Sequence, residues 1–192
     1  DIRGKSGDAR DGAPVRIAVP VLRRIANFDD LDPLAGETDV DVTLVEAGDV
    51  IPADADLILL PGSKSTISDL TFLRDQGWDI DIAAHLRRGG MVMGLCGGYQ
   101  MLGTKLDDPD GVEGPAGDTP GLGHLGVETV LAGDKRLIQV TAHANAFDVP
   151  VRGYEIHMGR TGGPDCDRPF LTLDGRPEGA VSADGAVIGT YL

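Results

Sequence analysis

Residues 89–103, GGMVMGLCGGYQMLG, decide how this chain is read. Met91, Val92 and Met93 form a short apolar run, Gly94-Leu95-Cys96-Gly97-Gly98 a glycine-rich turn, and Tyr99 to Leu102 suit a helix. The succession is a buried strand, a tight turn carrying one cysteine, and a helix. Gly94 and Gly98 flank Cys96 at the spacing of a nucleophile elbow, where strand and helix come so close that a Cβ would clash. Gly97 lets the N–H that follows the nucleophile turn inward, toward a developing oxyanion. A plainer reading also fits the pentapeptide: a buried cysteine at a glycine-rich strand–helix turn.

Upstream, 15–21 (VRIAVPV), 40–47 (VDVTLVEA) and 55–61 (ADLILLP) read as strands, with Pro20 near the end of the first. LDPL at 31–34 marks a helix start, with Asp32 as cap and Pro33 in the first turn. Helices follow at 67–74 and 78–88, the second with Ile80, Ile82, Ala83 and Leu86 as its apolar stripe and Gly89-Gly90 as its stop. Short apolar strands joined by helical crossovers indicate an α/β domain of three layers with a mostly parallel, doubly wound sheet. Ligands in such sheets gather beyond the carboxyl ends of the strands. Gly62 and Cys96 lie there, and they become neighbours if their strands are adjacent.

The second half reads differently. Residues 104–125 and 159–169 are loop-rich, while 126–131, 136–144, 151–158 and parts of 179–192 are strand-like, pointing to antiparallel additions to the same domain. Residues 1–14 are polar and glycine-rich, as expected of a linker or the tail of an upstream domain, leaving 15–192 as one domain.

Formal net charge is −14, from 31 acidic and 17 basic residues, which argues against a broad nucleic-acid-binding surface. No apolar run of membrane-spanning length occurs and no signal peptide opens the chain, so a cytoplasmic protein is expected. Cys96 and Cys166 have no Cys/His ligand spacing around them, and no metal site is expected. Asp107, Asp108 and Asp110 read as a solvated turn.

A cysteine nucleophile needs a base. His85 sits in a helix as a surface or packing residue, His124 in a glycine-rich turn and His143 near a strand. His157 shares a strand face with Glu155, which could orient its imidazole, so the residues alone favour it. Gly62 and Gly97 are candidate oxyanion donors, and Gln100 and Lys64 candidate substrate contacts. The elbow alone also allows a thiol protease or another acyl hydrolase.

The stretches IANFDDLDPL (25–34), LLPGSKSTISDL (59–70), GLCGGYQMLG (94–103), GYEIHMGRT (153–161) and GTYL (189–192) span almost the whole chain from about residue 15. They resemble the glutamine amidotransferase domains of cobyric acid synthases, in the cobalamin branch of the class I-like glutaminases. The related peptidoglycan-precursor amidotransferases are similar around the cysteine and at GTYL but carry a different loop where this chain has PGSK. The resemblance implies a flavodoxin-like α/β glutaminase with Cys96 as nucleophile, Gly62 and Gly97 as oxyanion hole, and Gln100 on the substrate glutamine. It needs no cofactor of its own. It implies an ATP- and Mg-dependent synthetase domain, normally upstream in the same polypeptide, where ammonia amidates corrinoid carboxylates.

In that family the base is the histidine directly after GTYL, and the sequence in hand runs to Leu192. His157 matches YEIH, a different motif, so the resemblance moves it from base to a substrate-facing or structural role. The expectation is a C-terminal fragment with weak or absent glutamine hydrolysis. The competing expectations are an amidotransferase for a peptidoglycan precursor and a non-catalytic glutamine- or partner-binding domain of the same fold.

Overall fold

The computed structural model describes residues 14–132 and 136–192. The expected linker lies, except for Pro14, outside the described residues. VRIAVP forms β1 (Val15–Pro20), buried over its last four residues. A 3-10 turn at Phe28–Leu31 runs into the single helical turn α1 (Asp32–Ala35). Asp32 is therefore the first residue of α1 and not its cap: Leu31 already has helical angles, −90° and −18°, because the 3-10 turn continues into it.

Next come β2 (Val40–Val45), β3 (Leu57–Leu60), α2 (Thr66–Asp75), α3 (Trp78–Arg87), β4 (Met91–Leu95) and α4 (Gly97–Leu102). Within α3 the buried stripe is Trp78, Ile82 and His85, at i, i+4 and i+7, whereas Ile80 is 67% exposed. This shifts the expected stripe by about a third of a turn, because Trp78 leads it: its indole N–H donates to the Asp49 carbonyl at 2.8 Å and its ring meets Phe72 edge-on. Burying such side chains contributes roughly 1.5–3 kcal/mol each.

Residues 104–125, expected as loop, contain the antiparallel hairpin β5 (Lys105–Asp108) and β6 (Gly117–Pro120). Asp108 is fully buried, and its carboxylate accepts the N–H groups of Val112 and Glu113 at 2.7 and 2.9 Å. It is a turn anchor and not a solvated acid; Asp110 is exposed. The chain continues through β7 (Glu128–Val130), β8 (Arg136–Ala144), β9 (Val149–His157), β10 (Arg160–Gly162), β11 (Leu171–Leu173), β12 (Arg176–Glu178), β13 (Ala180–Val181) and β14 (Val187–Thr190). β10 and a 3-10 turn at Pro164–Asp167 replace the loop expected over 159–169. Backbone pairing with β7 orders β10 despite its glycine-rich sequence.

The central sheet has the order β13-β14-β4-β3-β1-β2. All its pairings are parallel except β13 on β14. Taken in chain order, its five parallel strands lie 2-1-3-4-5, the flavodoxin-like arrangement. The last strand is thus an integral parallel strand beside β4 and not an antiparallel addition.

Strand alternation divides the core. Ile58, Leu60 and Val92 pack with α2, α3 and α4 on one face. On the other, Ile17, Val19 and Leu59 meet Leu31 and Leu34, while Met91, Met93 and Ile188 meet the antiparallel sheet β12-β11-β8-β9. The third layer is therefore largely a second sheet.

Candidate active site

Cys96 links β4 to α4 with φ 51° and ψ −108°, one of three non-glycine residues with positive φ among those described. A conformation of this kind costs on the order of 1–3 kcal/mol and persists only where the surroundings enforce it. They do so on three sides. A Cβ on Gly94 would lie 2.6 Å from the Gly98 carbonyl, and one on Gly98 would collide with the Leu60 carbonyl. A Cβ on Gly97 would come 2.9 Å from Ser63 N. The Cys96 N–H donates to the Thr190 carbonyl at 2.8 Å, so β14 holds the turn from behind.

β3 and β4 are adjacent, with Leu60 opposite Gly94, so the PGSK loop stands beside the elbow. A Cβ on Gly62 would be 3.7 Å from the Cys96 Cβ. The Gly62 carbonyl accepts the Ala26 N–H at 2.9 Å, and the Lys64 N–H reaches the Arg24 carbonyl at 2.8 Å. Asp69, fully buried in α2, accepts the Ser63 hydroxyl at 2.6 Å and the Arg24 N–H at 3.2 Å through Oδ2. Its Oδ1 is buried without a hydrogen-bond partner. The structure thus brings Gly62, Cys96 and Gly97 together. The Lys64 side chain is exposed.

Gln100 is buried, and its amide is committed to the protein. Oε1 accepts from Thr66 Oγ1 at 3.1 Å; Nε2 donates to the Met158 carbonyl at 2.9 Å and to the Tyr191 hydroxyl at 3.1 Å. It ties the elbow helix to α2 and to the chain after β9. The Tyr191 hydroxyl also bonds Thr161, which in turn bonds Thr129 at 2.6 Å. Burial pushes the Tyr191 phenol up to about 12, opposed by its hydrogen bonds to Thr161 and Gln100 and reinforced by nearby Cys96.

His157 and Glu155 do share a face of β9, with Nε2 and Oε1 3.2 Å apart. The imidazole stacks on Tyr191 with ring centres 3.8 Å apart, and its Nδ1 is buried without a partner. Glu155 also pairs with Arg176. These residues line a cavity of about 300 Å³ with Tyr99, Arg160, Cys166 and Glu178. It lies on the Tyr191 side of the elbow and presents charges of both signs. Burial raises the Glu178 carboxyl, against the hydrogen bonds it accepts from Thr190 and Tyr191.

The other histidines are accounted for elsewhere. His85 is buried, with Nε2 3.0 Å from the Met91 carbonyl and its pKa lowered by burial. His124 is half-buried and lowered for the same reason. Exposed His143 pairs with Asp148 at 2.8 Å. Cys96 and Cys166 form no disulfide, and Cys166 Sγ lies 3.9 Å from the Tyr99 hydroxyl. Among the described residues no group of His, Cys, Asp or Glu is placed to hold a metal ion, and no helix is long and apolar enough to cross a membrane.

Sequence reasoning missed Asp69, Glu178 and the hub role of Tyr191. Asp69 and Tyr191 stand inside motifs already singled out, STISDL and GTYL. Glu178 ends the short strand β12 and carries no such signal.

Comparison with known proteins agrees with this architecture. Residues 16–192 match the family model of the CobB/CobQ-like glutamine amidotransferase domain. The chain is 62% identical over 181 residues to a cobyric acid synthase of Ruegeria sp. (strain TM1040), covering 94% of this chain and 38% of that protein. It is 58% identical over 192 residues to a cobyric acid synthase of Paracoccus denitrificans (strain Pd 1222), covering 100% of this chain and 39% of that one. It thus spans well under half the length of these relatives. Among solved structures, PurLQS from Thermotoga maritima matches with a TM-score of 0.68 at 21% identity, over 93% of this chain and 86% of that one. A glutamine amidotransferase of the same organism matches with a TM-score of 0.61 at 15% identity, over 92% and 74%. The fold is that of the class I glutamine amidotransferases, a three-layer α/β domain. The chain belongs to the family of CobB/CobQ-like glutamine amidotransferase domains.

Proposed function

We propose that this domain hydrolyses glutamine at Cys96 and supplies the ammonia for amidation in cobyric acid synthesis. The observation that carries the reading is Cys96 held at positive φ at the end of β4, with the Gly62 loop beside it. The Cys96 sulfur attacks the side-chain carboxamide carbon of glutamine. The oxyanion that forms lies between the backbone N–H groups of Gly62 and Gly97, and Gly97, as the first residue of α4, has no intrahelical partner for its N–H. The C–N bond breaks, ammonia leaves carrying the proton that the Cys96 thiol gave up, and water hydrolyses the thioester to glutamate and restores the thiol.

Support for the acceptor comes from the relatives named cobyric acid synthase. In this reading a separate synthetase domain uses ATP and Mg to activate corrinoid carboxylates, and ammonia converts them to amides.

A chloroketone analogue of glutamine tests the nucleophile: the thiolate displaces chloride, and a thioether adduct is read by intact mass and peptide mapping. Adduct on Cys96 that is blocked by glutamine is expected; no adduct there overturns the reading. β14 leaves the sheet beside the elbow, so residues placed after Leu192 are delivered near Cys96. Residues 1–192 alone are expected to turn glutamine over weakly, and a histidine-led extension after Leu192 to raise the rate. Equal rates would remove the case for a base at that position.

A further inference from the structure

We infer that Glu178 is a positioning residue for the Cys96 elbow, acting through the peptide group between Thr190 and Tyr191. The inference rests on the reading of Cys96 as nucleophile. That peptide group is held from both sides. Its carbonyl, on Thr190, accepts the Cys96 N–H at 2.8 Å. Its N–H, on Tyr191, donates to Glu178 Oε1 at 2.8 Å. Because the peptide is planar, fixing the N–H direction fixes the carbonyl direction. The second Glu178 oxygen, Oε2, accepts the Thr190 hydroxyl at 2.7 Å, so the carboxylate grips the same residue twice.

The chemistry supports a purpose beyond packing. Glu178 is 5% exposed and Thr190 is fully buried. A carboxylate in such a place is unfavourable unless both its oxygens are bonded, and here both bonds go to the residues beside the elbow. A negative charge on the N–H side of a peptide polarises it and strengthens its carbonyl as an acceptor. The acceptor in question fixes the N–H of Cys96, the residue held at φ 51°. Glu178 thus opposes relaxation of the strained turn without touching the reacting atoms.

Glu178→Gln keeps the shape but cannot reproduce the pattern. The Gln oxygen can accept from the Tyr191 N–H, leaving the amide NH2 to face the Thr190 hydroxyl. The hydroxyl oxygen, which accepts the Leu192 N–H at 3.1 Å, can accept that NH2 as well, but its own proton then loses the carboxylate acceptor. Thr190→Val removes the hydroxyl grip, and with it the acceptor of the Leu192 N–H, while the Tyr191 N–H bond to Glu178 stays in place.

The experiment measures inactivation by the chloroketone analogue of glutamine in the full-length protein, separating the maximal rate from the half-saturating concentration. Amide hydrogen exchange at Cys96 is followed in parallel. For Glu178→Gln, a maximal rate lower by about tenfold to a hundredfold is expected, with the half-saturating concentration within about twofold and faster exchange at Cys96. Thr190→Val is expected to fall between this variant and the wild type, and it carries the test if Glu178→Gln does not fold. An unchanged maximal rate, or a loss confined to the half-saturating concentration, overturns the inference. Failure of the wild-type protein to react at Cys96 overturns the nucleophile reading instead, and this inference with it.

Discussion

Gly98 lies against the carbonyl of Leu60 so closely that no Cβ fits between them. Leu60 is the last residue of β3 and Gly98 the second of α4, so the contact seats the start of the elbow helix on the strand that leads into the PGSK loop. Backbone on backbone leaves nothing flexible to yield. Gly98→Ala is expected to destabilise the domain by about 1–3 kcal/mol through overpacking, with a lowered denaturation midpoint at unchanged slope. A midpoint equal to that of the wild type would show that α4 can lift off β3.

The strain at Cys96 predicts an order of stabilities. Cys96→Ala keeps a Cβ at φ 51°, whereas Cys96→Gly removes it. The glycine variant is expected to be the more stable by about 1 kcal/mol, despite the larger entropy glycine loses on folding. Both variants should lose the chloroketone adduct at this position. The reverse order in urea denaturation would mean that the turn is relaxed.

Asp69 predicts a difference between two substitutions. Its Oδ2 holds the Ser63 hydroxyl and the Arg24 N–H, while Oδ1 is buried without a partner. In Asp69→Asn the amide oxygen can keep both bonds. In Asp69→Ala both donors lose their acceptor, at roughly 1–3 kcal/mol for each one left buried and unsatisfied. The alanine variant is expected to lower glutamine turnover in the full-length protein at nearly constant KM, because the loop it loosens carries the Gly62 N–H. The asparagine variant should stay closer to wild type. Equal losses in the two would point to a need for the charge itself.

His85 predicts a pH dependence of stability. Burial lowers its pKa from 6.5, against a smaller upward effect of its bond to the Met91 carbonyl. Between the lowered value and 6.5 the unfolded chain therefore binds more protons than the folded one, and stability rises with pH. The contribution is fully present above the unfolded value and is lost as pH falls through the folded one. His85→Gln should flatten this part of the profile, measured as the difference in unfolding free energy across pH 5–8. Parallel curves for variant and wild type would rule out His85 as the source. The ring also fills the space where Gly90 would carry a Cβ, so it packs the end of α3 onto the start of β4.

The first half of the fold was legible because its elements are local. Apolar runs at 57–60 and 91–95 give strands, and the glycines around Cys96 give the turn, through sterics within a few residues. The second half was harder to read. The β5–β6 hairpin hangs on buried Asp108, and β10 exists because β7 lies beside it. Asp, Gly and Pro in those stretches look like loop until a partner strand supplies the missing hydrogen bonds.

The site divides in the same way. Cys96, Gly97 and Gly62 could be named from the sequence because an elbow and a strand-end loop demand particular residues at particular spacings. Gln100 could be named, but its engagement with Thr66, Met158 and Tyr191 depends on four segments that meet only in the folded domain. The same holds for His157, which neighbours Glu155 by strand alternation yet stacks on Tyr191 from the far end of the chain. The sequence by itself determined the glycine-rich turn at Cys96 and the parallel sheet, since these rest on short-range sterics and periodicity, and its motifs carried the resemblance to the family. Only the tertiary structure decided that β14 lies parallel beside β4, and that Glu178 grips the peptide on which the Cys96 N–H rests. Buried hydrogen bonds between distant residues have no period or spacing to announce them.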